Sequence, residues 1–199
     1  MQKTSIFLMA VTLLILLNTA CSEQGENPSP AFRVVEASFA EMQAAMTAGQ
    51  TSSRDIVQQY LDRIARYERT LHATMTVNPD ALAQADRLDR ERAAGQVRGP
   101  LHGIPIALKD NIHTTDMPTT GGALAFRGYV PPYEATLVTR LRAAGAIILA
   151  KTTMTELANW VGAGMPGNYN TLRGRRYRPV GCHGGQRPAR PGHRYLCAC

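Results

Sequence analysis

The chain has 199 residues, of which 44% are hydrophobic and 19% are charged, a composition that fits one globular domain with its own core. A net charge of +7 would favour nucleic acid or an anionic membrane as a partner, but residues 1–172 hold 15 basic and 15 acidic side chains and are neutral. The excess comes from seven arginines after residue 172, so the charge balance predicts no specific nucleic-acid partner. No cysteine lies between residues 22 and 181, which excludes a disulfide scaffold.

Residues 1–21 have the pattern of an export signal. Lys3 precedes the apolar run Ile6–Leu17, which is too short for a comfortable transmembrane helix. Thr19-Ala20-Cys21 then resembles the cleavage site of a bacterial lipoprotein, in which a lipid on Cys21 would anchor the protein to a membrane. The alternative is an ordinary secretory signal cleaved near Ala20. Both predict an exported protein, either a periplasmic or membrane-anchored lipoprotein or a secreted one, with residues 22–35 as a polar linker.

Two helices are predicted at the start of the folded part. The first covers Phe39–Ala48, with Ser38 as its N-cap and Gly49 at its end. The second begins at a capping box formed by Ser52 and Asp55. Its apolar side chains recur at helical spacing and predict one buried face, made of Ile56, Val57, Tyr60, Leu61 and Ile64.

A short strand and a third helix follow. Residues with β-branched side chains predict a strand over His72–Val77. Asn78 is expected to cap the next helix, with Pro79 at the first helical position and Gly95 just beyond the last one.

The centre of the chain alternates between strand and helix. The apolar runs Ile104–Leu108 and Ala146–Ala150 predict two strands. Between them, a loop over Thr114–Gly128 precedes a helix over Ala135–Ala144, and another short helix is predicted over Thr155–Trp160. The order strand, helix, strand is typical of parallel pairing, so the predicted fold class is α/β. The inward side chains of the helix between the strands are expected to be Leu137, Val138 and Leu141.

Lys109 is the first candidate for chemistry, because it stands at the end of a short apolar strand. Burial would disfavour its charged form and lower its pKa, so that the amine can act as a base. The alternative is that the long side chain reaches water and has no chemical role.

Several motifs around Lys109 are typical of one enzyme family. They are Gly99-Pro100-Leu101-His102-Gly103-Ile104-Pro105, Lys109-Asp110-Asn111, Thr119-Thr120-Gly121-Gly122, and Gly145–Thr152 followed by Thr155–Asn159. Together they resemble the amidase signature family over residues 36–172, which correspond to the front part of that family's domain.

The resemblance implies a fold and a mechanism. The fold would be the incomplete front of an α/β/α sandwich, with a mixed sheet flanked by helices. Lys109 would be the buried, neutral lysine of a Ser–cis-Ser–Lys triad, in which a serine attacks a small-molecule or peptide amide and forms an acyl-enzyme. This chemistry needs no metal ion and no organic cofactor.

The sequence departs from the family in lacking serine after Ser53, whereas the family places both triad serines downstream of the lysine. Residues 173–199 are rich in Arg, Gly, Pro and Cys and contain no acid, a composition that predicts a disordered tail. A change of reading frame near Leu172 explains both features, and resequencing that region tests it. We therefore expect the chain as written to be inactive.

The tail suggests two other functions. Its seven arginines would bind polyanions without specificity, which would make the protein a non-catalytic exported module. Its Cys and His residues are suitable zinc ligands, although their spacing matches no common zinc module. These candidate ligands are Cys182, His183, His193, Cys197 and Cys199.

Other polar residues near the motifs are expected to be structural. His102 has the pattern of a hydrogen-bonded loop histidine, and Lys151 has no triad role by the family resemblance. Glu156 and Asn159 are expected to hold loop geometry. Thr119–Gly122 is the exception, because this loop is a candidate border of the substrate cleft.

Overall fold

The structure, a computed structural model, describes residues 32–159, 167 and 169–175, which all belong to the compact unit Phe32–Cys199. The described helices are α1 (Phe39–Thr47), α2 (Ser53–Leu71), α3 (Ala81–Ala93) and α4 (Thr136–Ala143). The strands are β1 (Thr74–Val77), β2 (Pro105–Lys109), β3 (Ile147–Thr152), β4 (Tyr169–Asn170) and β5 (Gly174–Arg175), and 3₁₀ turns lie at Leu124–Phe126 and Glu156–Asn159.

The main sheet is mixed and has the order β1-β3-β2. Strands β2 and β3 are parallel, which confirms the crossover connection that passes through α4. β1 pairs with β3 in the antiparallel direction, an arrangement that the sequence did not indicate. Strands β4 and β5 form a separate antiparallel pair, and the Arg173 guanidinium that precedes β5 donates a hydrogen bond to the Met75 carbonyl of β1.

Helices cover both faces of the central strand β3. Ile147 and Leu149 pack into a cluster with α2 and α3, whereas Ile148 packs against Val138 of α4. This alternation is the expected consequence of successive side chains pointing to opposite faces of a sheet. The predicted α/β class is confirmed, with helices on both sides of a mixed sheet. A further cluster joins α1 to the start of α2 and consists of Val34, Met42, Met46, Ile56 and Ile104.

A bulge interrupts the alternation in β3. Ile106 pairs with Ile148, but the next residue of β2, Ala107, pairs with Ala150, so β3 contains one extra residue at Leu149. Leu149 and Ala150 consequently both pack on the α2 and α3 side. A bulge of this kind redirects every following side chain to the opposite face.

The starts of the first two helices agree with the sequence pattern, and the start of the third does not. Ser38 and Ser52 each form a complete capping box, with Glu41 and Asp55 respectively. α3 begins at Ala81, and its N-cap is not Asn78. The Asn78 side-chain amide instead donates to the Ile148 carbonyl at 2.7 Å. This hydrogen bond connects the segment before α3 to the sheet.

Three further predictions need correction. Leu137 is 50% exposed rather than inward, since the short α4 presents only Val138 fully to the core. The predicted helix over Thr155–Trp160 is a 3₁₀ turn at Glu156–Asn159 with left-handed backbone at Leu157 and Ala158, and Trp160 lies outside the described residues. The folded unit also begins before the end of the predicted linker, because Val34 is buried against α1 and α2.

Among the described residues, none of the helices combines the length and the apolar character that crossing a membrane requires. The predicted signal over residues 1–21, including Cys21, and the tail beyond Arg175 lie outside the described residues.

Candidate active site

Lys109 ends β2, next to Thr152 in the neighbouring strand. The side chain is half-buried, whereas the family resemblance implied a buried lysine. The difference arises because β2 is an edge strand of the described sheet, and Ala107, on the same face as Lys109, is exposed. The backbone at Lys109 is fixed on its C-terminal side by a turn, in which the Ile112 amide donates to the Lys109 carbonyl at 3.0 Å.

Asp110, the next residue, is fully buried and holds the loop Thr119–Gly122. Its Oδ2 atom accepts hydrogen bonds from the Thr120 amide at 3.2 Å, the Gly122 amide at 3.3 Å and the Thr120 hydroxyl. The Asp110 carbonyl accepts a further bond from the Gly121 amide at 3.1 Å. This loop was a candidate border of the substrate cleft, and the structure places it beside the end of β2.

The backbone donors of this loop are already used. The amides of Thr120, Gly121 and Gly122 bind Asp110, and the Thr119 amide donates to the Tyr129 carbonyl at 2.9 Å. A tetrahedral intermediate needs unoccupied donors aimed at its oxyanion. These four amides are therefore structural in the present conformation and do not form an oxyanion hole.

Gly122 is a position where glycine is required. Its φ is +76°, and a Cβ atom there would approach Asn170 Cβ at 3.0 Å and the Met154 carbonyl at 3.2 Å. The absence of a side chain lets the loop pass close to β4. Gly122 thus allows both the left-handed backbone and the close approach to Asn170 and Met154.

Lys151 is the other lysine of the described residues, and it is 0% exposed. Its Nζ atom donates to the Thr119 hydroxyl at 2.7 Å and to the Pro118 carbonyl at 3.4 Å, and it lies 3.7 Å from Asp110 Oδ1. Burial lowers the pKa of Lys151, and the Asp110 carboxylate acts in the opposite direction.

The two lysines lie on opposite faces of the sheet. Leu108, which pairs with Lys151, packs on the α4 side, so the adjacent Lys109 points to the other face. Without the bulge at Leu149, Lys151 would share the face of Ile147 and Leu149 instead. The bulge therefore brings the Lys151 amine to the loop that Asp110 holds.

His102 is a structural histidine, as the sequence indicated. It is fully buried, its Nδ1 atom accepts a hydrogen bond from the Arg98 amide at 3.3 Å, and Nε2 lies 2.9 Å from the Leu88 carbonyl. A ring that accepts at Nδ1 carries its proton on Nε2, so both nitrogens are used within the fold. Glu156 also has a loop contact, since its carboxylate accepts from the Thr171 amide at 2.9 Å.

No group of three or more His, Cys, Asp or Glu side chains suited to a metal ion occurs among the residues that the structure describes. The tail ligands considered above, Cys182 to Cys199, lie outside them.

The fold and site together define the front part of an amidase-signature sandwich. Its mixed sheet has helices on both faces, and a lysine ends one of its strands. The Amidase family matches residues 55–172. Because this match covers more than half of the chain, the chain belongs to the Amidase family, whose general chemistry is cleavage of amide C–N bonds.

Similar proteins come from several bacteria. A glutamyl-tRNA(Gln) amidotransferase subunit of Thermobifida fusca (strain YX) is 46% identical over 126 residues, which are 63% of this chain and 25% of that protein. The native peptide amidase of Stenotrophomonas maltophilia has a TM-score of 0.69 and 46% identity, covering 71% of this chain and 29% of that one. An amidase family protein from Bacillus anthracis str. Ames has a TM-score of 0.70 and 34% identity, covering 74% and 30%. The chain spans about a quarter of the length of the curated relatives that it matches.

Sequence patterns predicted where β2 ends but not the contacts around that strand end. The Lys109-Asp110-Asn111 motif marked the correct strand end, yet nothing in it showed that Asp110 would bind a loop ten residues away. Lys151 was expected just after its strand, whereas β3 continues to Thr152 and buries the side chain. The signal that hinted at this was the unbroken apolar run before Lys151, which predicts a strand covered on both faces.

Proposed function

We propose that this chain carries the catalytic lysine of an amide hydrolase and that Lys109 is this residue. The observation that supports the proposal most strongly is the position of Lys109 at the end of β2, within the segment that matches the Amidase family. Lysine suits this role because it can lose its proton near neutral pH, which arginine cannot do.

The proposed reaction proceeds through an acyl-serine. Neutral Lys109 takes a proton through a bridging serine from a nucleophilic serine, whose oxygen attacks the carbonyl carbon of the amide. The C–N bond breaks when the leaving nitrogen takes a proton, which releases ammonia or an amine. Water then attacks the acyl-serine, and the carboxylic acid leaves while the serine regains its proton.

The chain as written lacks the serines that this reaction requires. No serine follows Ser53, and Ser53 is buried at the start of α2, where its amide donates to Asp89 at 2.8 Å. We therefore propose that residues 1–199 do not turn over amides by themselves and that Lys109 requires serines from another polypeptide segment.

The proposed substrate class is a carboxylic or peptide amide. The likeness to a peptide amidase at 46% identity supports a peptide amide as the first compound to assay.

The function is tested by joining the chain to a segment that carries the two serines of the reaction. Residues 32–172 are joined in frame to the part of the Stenotrophomonas maltophilia peptide amidase that follows the matched region, and ammonia release from an amidated peptide is measured. We expect turnover by this chimera and none by residues 1–199. Turnover by residues 1–199 that is lost on Lys109→Ala, or a folded chimera without any turnover, would contradict the proposal.

We also propose that the protein is exported and that Cys21 carries the lipid anchor. The support is the sequence pattern of residues 1–21, with Lys3, an apolar run and small residues before Cys21. Labelling with a radioactive fatty acid in a bacterial host should mark the protein and should not mark Cys21→Ser. Equal labelling of both forms would reject lipidation at Cys21.

A further inference from the structure

We propose that Lys151 is a positioning residue for the Lys109 site, and that it acts by clamping the loop Pro118–Gly122 to the C-terminal ends of β2 and β3 through Asp110. The importance of the clamp for catalysis rests on the proposed function of Lys109. The clamp itself is a property of the described residues and can be tested without turnover.

The first observation is that Lys151 is buried where a lysine is unfavourable. A fully buried amine loses its hydration, and such groups persist when partners compensate for the loss. Lys151 has three partners, all from outside its own strand: the Thr119 hydroxyl, the Pro118 carbonyl and the Asp110 carboxylate. Two of them belong to the loop, so the amine connects β3 directly to Pro118 and Thr119.

The second observation is that Asp110 holds the other half of the same loop. Its Oδ2 atom and its carbonyl together accept from the amides of Thr120, Gly121 and Gly122. Within the described residues its Oδ1 atom accepts no hydrogen bond and faces the Lys151 amine at 3.7 Å. The Lys151 side chain is thus the positively charged group that compensates the buried carboxylate.

The third observation is that the clamp meets the backbone of Lys109. The Asp110 amide donates to the Thr152 carbonyl at 3.2 Å, so Asp110 continues the pairing of β2 with β3 by one residue. Lys109 itself pairs with Thr152, so Thr152 of β3 holds the main chain of β2 at both Lys109 and Asp110. Movement of Asp110 would therefore move the main chain from which the Lys109 side chain extends.

The bulge in β3 provides an independent argument. The extra residue at Leu149 turns Lys151 to the face where the loop lies, and one residue fewer would direct its side chain towards the packed cluster of α2 and α3. Bulges often serve to redirect a side chain next to a functional site.

The test uses residues 1–199 and compares amide hydrogen exchange in the loop with exchange in α2. Lys151→Met removes the amino group and keeps the aliphatic stem, and Arg54→Met is the matched control because it removes one cation from an exposed ion pair with Asp86. In Lys151→Met we expect exchange at Thr120, Gly121 and Gly122 to rise about tenfold more than exchange in α2. Arg54→Met should leave exchange in the loop unchanged.

A second readout reports on Lys109. The sequence contains three lysines, so acylation by a small amine reagent can be followed at each of them by mass spectrometry. We expect the rate of Lys109 acylation at a fixed pH to change in Lys151→Met, because the main chain that carries Lys109 moves, and to stay constant in Arg54→Met. A loss of stability that leaves the loop in place would not alter this rate in the folded protein.

Thr119→Val is the second variant, and it decides the outcome if Lys151→Met does not fold. It removes the hydroxyl that accepts from Lys151 and leaves both charges in place. We expect the same loop-selective rise in exchange, with a smaller amplitude, and faster acylation of Lys151. Equal exchange in loop and helix, or no change in the loop, would overturn the proposal. A chimera that fails to hydrolyse amides would overturn only the function proposed for Lys109.

Discussion

Lys109 and Lys151 lie on neighbouring strands but have different surroundings. Lys109 is half-buried at the edge of the sheet, whereas Lys151 is enclosed between β3 and the loop that Asp110 holds. Burial lowers the pKa of Lys151, while the carboxylates of Asp110 and Asp116 raise it by a smaller amount. Lys109 is the proposed base, and the proposed role of the buried pair of Lys151 and Asp110 is to hold the backbone beside it.

The lowered pKa predicts how stability changes with pH. Between the folded pKa of Lys151 and its ordinary value of about 10.5, the unfolded chain binds more protons than the folded one. The contribution of Lys151 to the free energy of unfolding therefore increases as the pH rises through this window. Denaturant titrations from pH 7 to 10.5 should show the wild type gaining stability relative to Lys151→Met. A difference that stays constant across this range would show that the Lys151 pKa is not lowered.

Helix starts and apolar faces were predictable, because they depend on neighbouring residues. The capping boxes at Ser38 and Ser52 and the buried face of α2 follow from patterns within a few residues. The antiparallel β1, the bulge at Leu149 and the role of Asn78 depend on partners roughly 40 to 80 residues away in the chain. Sequence periodicity carries no information about such distant contacts.

Helix α4 offers a direct test of its packing. Val138 is fully buried against Leu108, Met117 and Ile148, whereas the adjacent Leu137 is 50% exposed. Val138→Ala should lower the free energy of unfolding by about 2 kcal/mol, because it leaves a cavity beneath the sheet. Leu137→Ala is the matched control and should change it by less than about 0.5 kcal/mol. Chemical denaturation measures both, and a larger effect for Leu137 would mean that α4 is rotated about its axis.

The charge of the whole chain is divided unevenly between its parts. Residues 1–172 are neutral, and the net charge of +7 resides in residues 173–199. Binding to polyanions is therefore a property expected of the tail and not of the amidase segment. The family assignment, in contrast, rests entirely on residues 55–172.

This division predicts the outcome of a simple binding experiment. Residues 1–199 should be retained on a polyanion column and released by moderate salt, because seven arginines can displace counterions. Residues 1–172 should pass through. Retention of residues 1–172 at the same salt concentration would show that the folded part has a basic surface of its own.

The catalytic assignment of Lys109 is tested most directly by the turnover rate of the peptide amidase chimera carrying Lys109→Arg. Arginine keeps the positive charge and most of the length but cannot lose its proton near neutral pH. If Lys109 is the base, kcat of the Lys109→Arg chimera should fall by about 10²–10⁴-fold, and kcat of the Lys109→Ala chimera should fall by at least as much. A chimera with Lys109→Arg that retains the full turnover rate would contradict a role for Lys109 as the proton acceptor.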